Sequence, residues 1–190
     1  MMMTSSGSRR FLSLWLTHWS TDQHRRRLRR TAKSSSMSAS AQSTSRAQAA
    51  PLVLAAQSSN RQEIQAVDPR AAKLGIKVGM AVADARARLP HLAVEAHDPA
   101  ADAADLRRLA DWATRFSPLV APEGVDGLML DIAGCAHLWG SEAKMLADLD
   151  RHLRQFGLHH RAAIADTIGA AWALARFGIK IGRASCRERV

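Results

Sequence analysis

The chain has 190 residues, 47% of them hydrophobic, which is enough apolar material for one sizeable core and a small satellite domain. Its formal charge is +10, but residues 1–50 carry +8 and residues 181–190 carry +2, so the neutral residues 51–180 supply no electrostatic attraction for DNA. Two cysteines exclude a disulfide framework and predict a cytoplasmic protein, and the lack of an apolar run of ~20 residues excludes a membrane-spanning helix.

The first fifty residues contain one apolar segment, and the stretches around it are not typical of a hydrophobic core. Residues 1–10 are predicted to be disordered. Residues 11–16 are apolar and aromatic, a pattern typical of a buried strand rather than an amphipathic helix. Segment 11–33 continues into an arginine cluster, which predicts a basic helix with Leu28 on its apolar side. The Ser/Ala-rich residues 34–50 predict a flexible linker.

Residues 51–97 predict a small subdomain built from short elements. A Ser-Ser-Asn-Arg segment at 58–61 favours a hairpin between two strands, and Pro90 ends the second of two short helices. In chain order, the predicted elements are strands 52–56 and 63–67, helices 69–74 and 82–89, and strand 92–96.

Residues 98–179 predict a larger set of alternating helices and strands. Asp98 and Ser141 are helix-capping residues, and the apolar side chains that follow each of them recur on a 3.6-residue period. The two core-facing stripes are Leu106, Leu109, Ala113 and Phe116, and Met145, Leu149, Leu153 and Phe156. Strands are predicted at Val120, 125–132 and 161–165, and a last helix at 169–177. This alternation predicts an α/β (α+β) fold in which helices pack on a sheet.

The last ten residues are unlike the rest of the chain. Residues 181–190 resemble one translated frame of a common sequencing adapter. We therefore predict that residues 180–190 are a non-native tail and that the native sequence stops near Ile179.

Five short motifs follow one another along the folded part of the chain. They are VDPRAAKLGI at 67–76, ADARARLP at 83–90, FSPLV at 116–120, VDGLMLDI at 125–132 and AIADTIG at 163–169. Their order resembles that of the palm and fingers of Y-family DNA polymerases. The resemblance implies a palm sheet with packed helices over residues 98–179, joined by the first strand, and a small helical fingers subdomain over residues 51–97.

The chain departs from that family at the positions that carry its chemistry. In active members, carboxylates hold two divalent ions that neutralise charge on the attacking and leaving oxygens. By resemblance, Leu14 and Leu16 stand where the first strand carries an Asp. Asp126 is retained, but Gly127 replaces the Glu that follows it. The residues that approach the triphosphate are replaced by Pro69, Ala72 and Thr167 or Ile168. The resemblance therefore implies no intact catalytic residue, a vestigial Asp126 and no cofactor.

The same losses are found in the ImuB branch of the family. This chain resembles that branch in LWLTHWSTD at 14–22, GCAHLWG at 134–140 and ADTIGAAWALAR at 165–176. The resemblance implies a bacterial protein of translesion synthesis and SOS-induced mutagenesis. Its implied partners are the sliding clamp, a RecA-like accessory protein and an error-prone replicative-type polymerase, bound mostly through sequence C-terminal to this N-terminal part.

Other functions stay open at this point. An active polymerase would need a substitute carboxylate, such as Asp22 or Asp131, to hold Mg²⁺ together with Asp126. On a regular strand, however, the five-residue offset between Asp126 and Asp131 places the two carboxylates on opposite faces. A truncated fragment without a stable function is a further alternative.

The arginine cluster supports a different class of function, a basic DNA-binding module. Clustered guanidinium groups release counterions from phosphates, but a charge run of this kind is equally typical of a solvated helix face. The candidate nucleic-acid-binding residues are Arg25, Arg26, Arg27, Arg29 and Arg30.

Overall fold

The computed structural model describes residues 9–34, 50–58 and 60–178. Most of the predicted disordered N-terminus, most of the predicted linker and the predicted non-native tail lie outside these residues. The chain divides into two compact units, a first unit of residues 1–17 and 104–190 and a second unit of residues 18–103. This boundary divides the predicted segment 11–33, because its strand lies in the first unit and its helix lies in the second.

The described residues form seven strands, six α-helices and one short 3₁₀ helix. In chain order these are β1 (Phe11–Leu16), α1 (Trp19–Ser34), β2 (Leu52–Ser58), β3 (Arg61–Val67), α2 (Pro69–Lys73), α3 (Val82–Arg88), β4 (Ala93–Ala96), α4 (Pro99–Ala113), β5 (Leu119–Glu123), β6 (Gly127–Asp131), the 3₁₀ helix (Ala136–Trp139), α5 (Glu142–Gln155), β7 (His160–Ala165) and α6 (Ile168–Phe177). This mixed architecture confirms the predicted α/β (α+β) class.

The first unit is built on a four-stranded antiparallel sheet in the order β5-β6-β1-β7. Its core forms because alternate residues of β1 are apolar and therefore point to one face. Leu12, Leu14 and Leu16 are each at most 1% exposed. Leu14 lies opposite the fully buried Leu128 of β6. Burial of each leucine side chain stabilises the unit by about 1.5–3 kcal/mol.

The helical stripes predicted from the sequence face this core. All of the predicted stripe residues on α4, α5 and the turn after α4 are buried except Phe156, which is half-buried. Both predicted N-caps are confirmed, because the side-chain oxygens of Asp98 and Ser141 each accept a backbone N–H from the first turn of their helix. The 3.6-residue period therefore identified the buried faces correctly.

The second unit contains a three-stranded sheet in the order β3-β2-β4. Strands β2 and β3 form the predicted antiparallel hairpin, whereas β4 pairs with β2 in parallel. Helix α1 contacts β2 and β3. The core of this unit comes from the sheet, the two short helices and the loops beside them, and it contains Val53, Ala55, Ile64, Val67, Ala71, Ile76, Val82, Ala85, Leu89 and Leu92.

Two details of the sequence prediction are wrong. Leu28 is 48% exposed and does not lie on a buried face of α1, whose buried residues Trp19, Thr21, Asp22 and Gln23 cluster in the first turns. The strand predicted from residue 125 begins at Gly127, because residues 124–126 form a turn in which Gly124 adopts a positive φ of 62°.

Long apolar helices are absent from the described residues. None of their helices combines the length and the hydropathy that crossing a bilayer requires.

We predict that Leu14→Ala lowers the free energy of unfolding by about 2–5 kcal/mol, because the cavity left at a fully packed site collapses only in part. The matched control is Leu138→Ala, which removes the same atoms from a side chain that is 70% exposed and should change stability by less than about 0.5 kcal/mol. Urea unfolding followed by tryptophan fluorescence measures both changes. Equal losses in the two variants would contradict the assigned core.

Candidate functional site

The turn between β5 and β6 carries Asp126, the carboxylate retained from the polymerase-like motif. The backbone carbonyl of Asp126 accepts a hydrogen bond from the backbone N–H of Leu16 at 2.8 Å, which fixes this turn to the end of β1. The Asp126 side chain is 35% exposed. The site therefore lies at one end of the central strands of the first unit.

Both carboxylate oxygens of Asp126 have protein partners. Oδ2 accepts a hydrogen bond from Nε1 of Trp15 at 2.9 Å, and Oδ1 accepts one from Nη2 of Arg176 at 3.2 Å. A carboxylate held by two N–H donors in this way is fixed in orientation.

A second carboxylate, Glu123, lies beside Asp126. Its Oε1 accepts a hydrogen bond from Nε1 of Trp172 at 3.1 Å, and its Oε2 lies 2.8 Å from Nη2 of Arg176. The Arg176 side chain is 13% exposed, and its guanidinium carbon lies 4.8 Å from the ring centroid of Trp172 and 5.7 Å from that of Trp15. We call these five residues, Trp15, Glu123, Asp126, Trp172 and Arg176, the Arg176 cluster.

Gly127, the position at which the sequence resemblance implies a lost carboxylate, has no room for a side chain. A Cβ atom on this residue would lie 2.8 Å from the backbone oxygen of Glu123, 2.8 Å from Oε2 of Glu123 and 3.2 Å from the backbone oxygen of Leu14. Because two of these contacts involve backbone oxygens, the clash is not relieved by rotating a side chain. Glycine is thus required here for close packing.

The residues at this site do not fit a pair of magnesium ions. Magnesium requires oxygen ligands in near-octahedral geometry, but the β1 side chain that meets Asp126 is the indole of Trp15, and Leu14 and Leu16, where the strand carboxylate was expected, are 1% exposed within the core. Gly127 has no side chain, and Asp126 is already bound to Trp15 and Arg176. Among the described residues, no group of three or more His, Cys, Asp or Glu is arranged to hold a metal ion.

The positions that approach the nucleotide in active relatives have other roles or surroundings. Thr167 caps α6, because its side chain accepts the backbone N–H of Ala170 at 3.2 Å. Ile168 is 53% exposed, and Pro69 begins α2. None of these side chains carries a charge that would neutralise a phosphate.

Asp131, one of the alternative carboxylates, is not brought to Asp126 along β6. Asp131 ends that strand and Asp126 immediately precedes it, so roughly 17 Å of strand separates them. Asp131 Oδ1 instead accepts the backbone N–H of Ala133 at 3.0 Å. Asp22 is 5% exposed and lies on α1 in the second unit.

Some arginines of the cluster on α1 form ion pairs within the second unit. Arg25 contacts Asp68 at 2.6 Å, and Asp68 also caps α2 through the backbone N–H of Ala71 at 2.7 Å. Arg27 contacts the buried Asp102 at 2.8 Å. The weaker contact of Arg26 is a 3.5 Å hydrogen bond to Gln23, whereas Arg29 and Arg30 are exposed. The five predicted nucleic-acid-binding residues therefore do not form one uniform basic surface.

Sequence reasoning missed Glu123 and Arg176 as site residues. Arg176 ends the motif at 165–176 and Glu123 lies between two motifs, and nothing in their spacing of 53 residues connects them. The signal that was available is the loss of a side chain at position 127, which implies that another group fills the space.

Comparison with known proteins agrees with the fold. Residues 35–176 match the impB/mucB/samB family, and the chain therefore belongs to that family. It is 59% identical over 105 residues to Protein ImuB of Caulobacter vibrioides (strain NA1000 / CB15N), a match that covers 55% of this chain and 23% of that protein. The predicted resemblance to the ImuB branch of the Y-family polymerases is confirmed.

A more distant relative is named as a polymerase. The chain is 33% identical over 111 residues to DNA polymerase IV of Moorella thermoacetica, covering 55% of this chain and 27% of that protein. It thus spans about a quarter of the length of these curated relatives.

Solved structures share the fold. The insertion ternary complex of Dbh DNA polymerase matches with a TM-score of 0.66 at 15% identity, covering 87% of this chain and 45% of that one. DinB from Sulfolobus solfataricus matches with a TM-score of 0.65 at 16% identity, with the same coverage. At these identities the likeness shows the fold alone.

We predict that Gly127→Ala lowers the free energy of unfolding by about 1–3 kcal/mol, because the added methyl group overpacks against backbone oxygens. Gly169→Ala is the matched control: no atom lies within 4 Å of the place that a Cβ on this helical glycine would occupy, and alanine should be neutral or stabilising by up to about 1 kcal/mol. Urea unfolding measures both. A Gly127→Ala variant as stable as the unsubstituted chain would contradict the packing described.

We predict that Arg25→Met destabilises the second unit by about 2–4 kcal/mol, because it leaves the carboxylate of Asp68, which is 3% exposed, without its ion pair. Arg29→Met makes the same change at an exposed position and should alter stability by less than about 0.5 kcal/mol. Thermal unfolding followed by circular dichroism distinguishes the two. If Arg25→Met were as mild as Arg29→Met, the structural role of Arg25 would be refuted.

Proposed function

We propose that this chain is a non-catalytic polymerase-like protein of DNA repair, which acts in translesion synthesis and SOS-induced mutagenesis as a scaffold for an error-prone polymerase. The observation that carries the proposal is the content of the site at the β5–β6 turn. One retained carboxylate, Asp126, is bound by Trp15 and Arg176, and the neighbouring position is a glycine without space for a side chain.

The chemistry of nucleotidyl transfer supports this interpretation. The reaction needs cations that stabilise charge on the attacking and leaving oxygens, and the protein supplies the ligands for those cations. In this chain, the β1 side chain that meets the retained carboxylate is Trp15, and Leu14 and Leu16 pack in the core. A side chain of this kind stabilises the fold but has no atom that binds a metal ion or a phosphate.

The proposed partners follow from the family. The similarity to Protein ImuB supports an assembly role with the sliding clamp, a RecA-like accessory protein and an error-prone replicative-type polymerase, in the bacterial cytoplasm. Direct contact with DNA is weak in this proposal. Of the arginine cluster, Arg29 and Arg30 are its best candidates for phosphate contacts, because they are exposed and Arg25 and Arg27 are ion-paired.

The second candidate function is an active error-prone polymerase that uses Mg²⁺. The 33% identity to a protein named DNA polymerase IV favours it. It requires further metal ligands besides Asp126, because Gly127 supplies none.

A primer-extension assay on the full chain separates the two functions. We expect no nucleotide incorporation with either Mg²⁺ or Mn²⁺, and no difference between the unsubstituted chain and Asp126→Ala. A Y-family polymerase with intact carboxylates serves as the positive control on the same template. Incorporation that is abolished by Asp126→Ala would overturn the proposal and establish the second candidate.

A further inference from the structure

We propose that Arg176 is a built-in cation that holds Glu123 and Asp126 together in place of a divalent ion and thereby closes this site to metals. This inference rests on the proposed function, and it gives a physical reason why the site would bind no metal ion. The carrying observation is that a single atom, Nη2 of Arg176, lies 2.8 Å from Oε2 of Glu123 and 3.2 Å from Oδ1 of Asp126. One positive group thus bridges two carboxylates.

The two tryptophans keep the guanidinium in this position. Trp15 and Trp172 lie within 4.8–5.7 Å of its central carbon, at distances where the ring faces attract a cation. Each indole N–H also donates to one of the two carboxylates. Each tryptophan therefore contacts both the positive and the negative part of the Arg176 cluster.

The end of α6, which carries Arg176, is anchored from β7. Nη1 of Arg161 donates to the backbone carbonyl of Arg176 at 3.0 Å, and Nη2 of Arg161 donates to the carbonyl of Gly178. The guanidinium of Arg161 lies 5.9 Å from the ring centroid of Trp15. This second arginine positions the backbone, whereas the side chain of Arg176 meets the carboxylates.

The guanidinium of Arg176 compensates the negative charges of Glu123 and Asp126. Glu123 and Asp126 are about two-thirds buried, with 32% and 35% of their side chains exposed. Two carboxylates this close repel one another unless a cation lies between them. Without Arg176, the pair would present oxygen ligands to a hard divalent ion.

The same arrangement leaves no space for a glutamate at position 127. Oε2 of Glu123 lies 2.8 Å from the place where a Cβ of residue 127 would be. A glutamate at position 127 would therefore collide with Glu123 before it reached a metal ion. The Glu123–Arg176 pair and a side chain at position 127 are therefore incompatible in this structure.

The test is the substitution Arg176→Met, which keeps an apolar stem between the tryptophans and removes the charge. We expect the variant to bind Mn²⁺, seen as loss of the free-ion signal in electron paramagnetic resonance, and to gain roughly 2–8 °C in Tm with millimolar Mn²⁺. The unsubstituted chain should show neither effect. Arg154→Met is the matched control, because Arg154 pairs with a single carboxylate, Asp150, and is 75% exposed.

A further variant covers the case in which Arg176→Met does not fold. Adding Glu123→Gln and Asp126→Asn removes the repulsion, so this triple variant should fold and bind no Mn²⁺. If the triple variant also fails to fold, the role of Arg176 is packing and the proposal is wrong. It is equally wrong if Arg176→Met folds without gaining Mn²⁺ binding.

The outcomes also separate this inference from the proposed function. Mn²⁺ binding by the unsubstituted chain that disappears in Asp126→Asn, without any primer extension, would overturn the built-in cation and leave the non-catalytic function intact. Primer extension dependent on Asp126 would overturn both.

Discussion

A guanidinium group placed between two carboxylates is the interaction on which the β5–β6 end of the first unit depends. Nη2 of Arg176 meets Glu123 and Asp126, and the pairing of β1 with β6 brings Trp15 against the same group. The contact draws together residues from β1, β5, the following turn and α6. The glycine that follows Asp126 leaves room for this contact, since a side chain there would meet Oε2 of Glu123 as well as the backbone oxygens of Glu123 and Leu14.

The palm-like sheet persists although the chemistry of its site has changed. Leu14 and Leu16 of β1 are buried in the core of the sheet, which favours folding by about 1.5–3 kcal/mol for each side chain. An unpaired carboxylate in such surroundings would instead be costly, because burial disfavours the charged form. A site without metal ligands is therefore compatible with a stable fold.

The sequence predicted most of the fold because its signals are local. The apolar segment of β1, the stripes of α4 and α5 and the caps Asp98 and Ser141 follow from spacings of a few residues. The missed features depend on distant contacts. In the sequence, Arg25 and Arg27 belong to a run of basic residues. Their partners Asp68 and Asp102 lie 43 and 75 residues away along the chain. Glu123 and Arg176 meet only once the sheet and α6 are assembled.

The central claim is that an arginine, and not a metal ion, neutralises the carboxylates at this site. The most direct measurement is an anomalous difference map, collected at the manganese edge, from crystals of the full chain grown with Mn²⁺. We predict electron density for the Arg176 guanidinium between Glu123 and Asp126 and no anomalous peak there. A manganese peak bridging these two carboxylates, with the arginine displaced, would contradict the account.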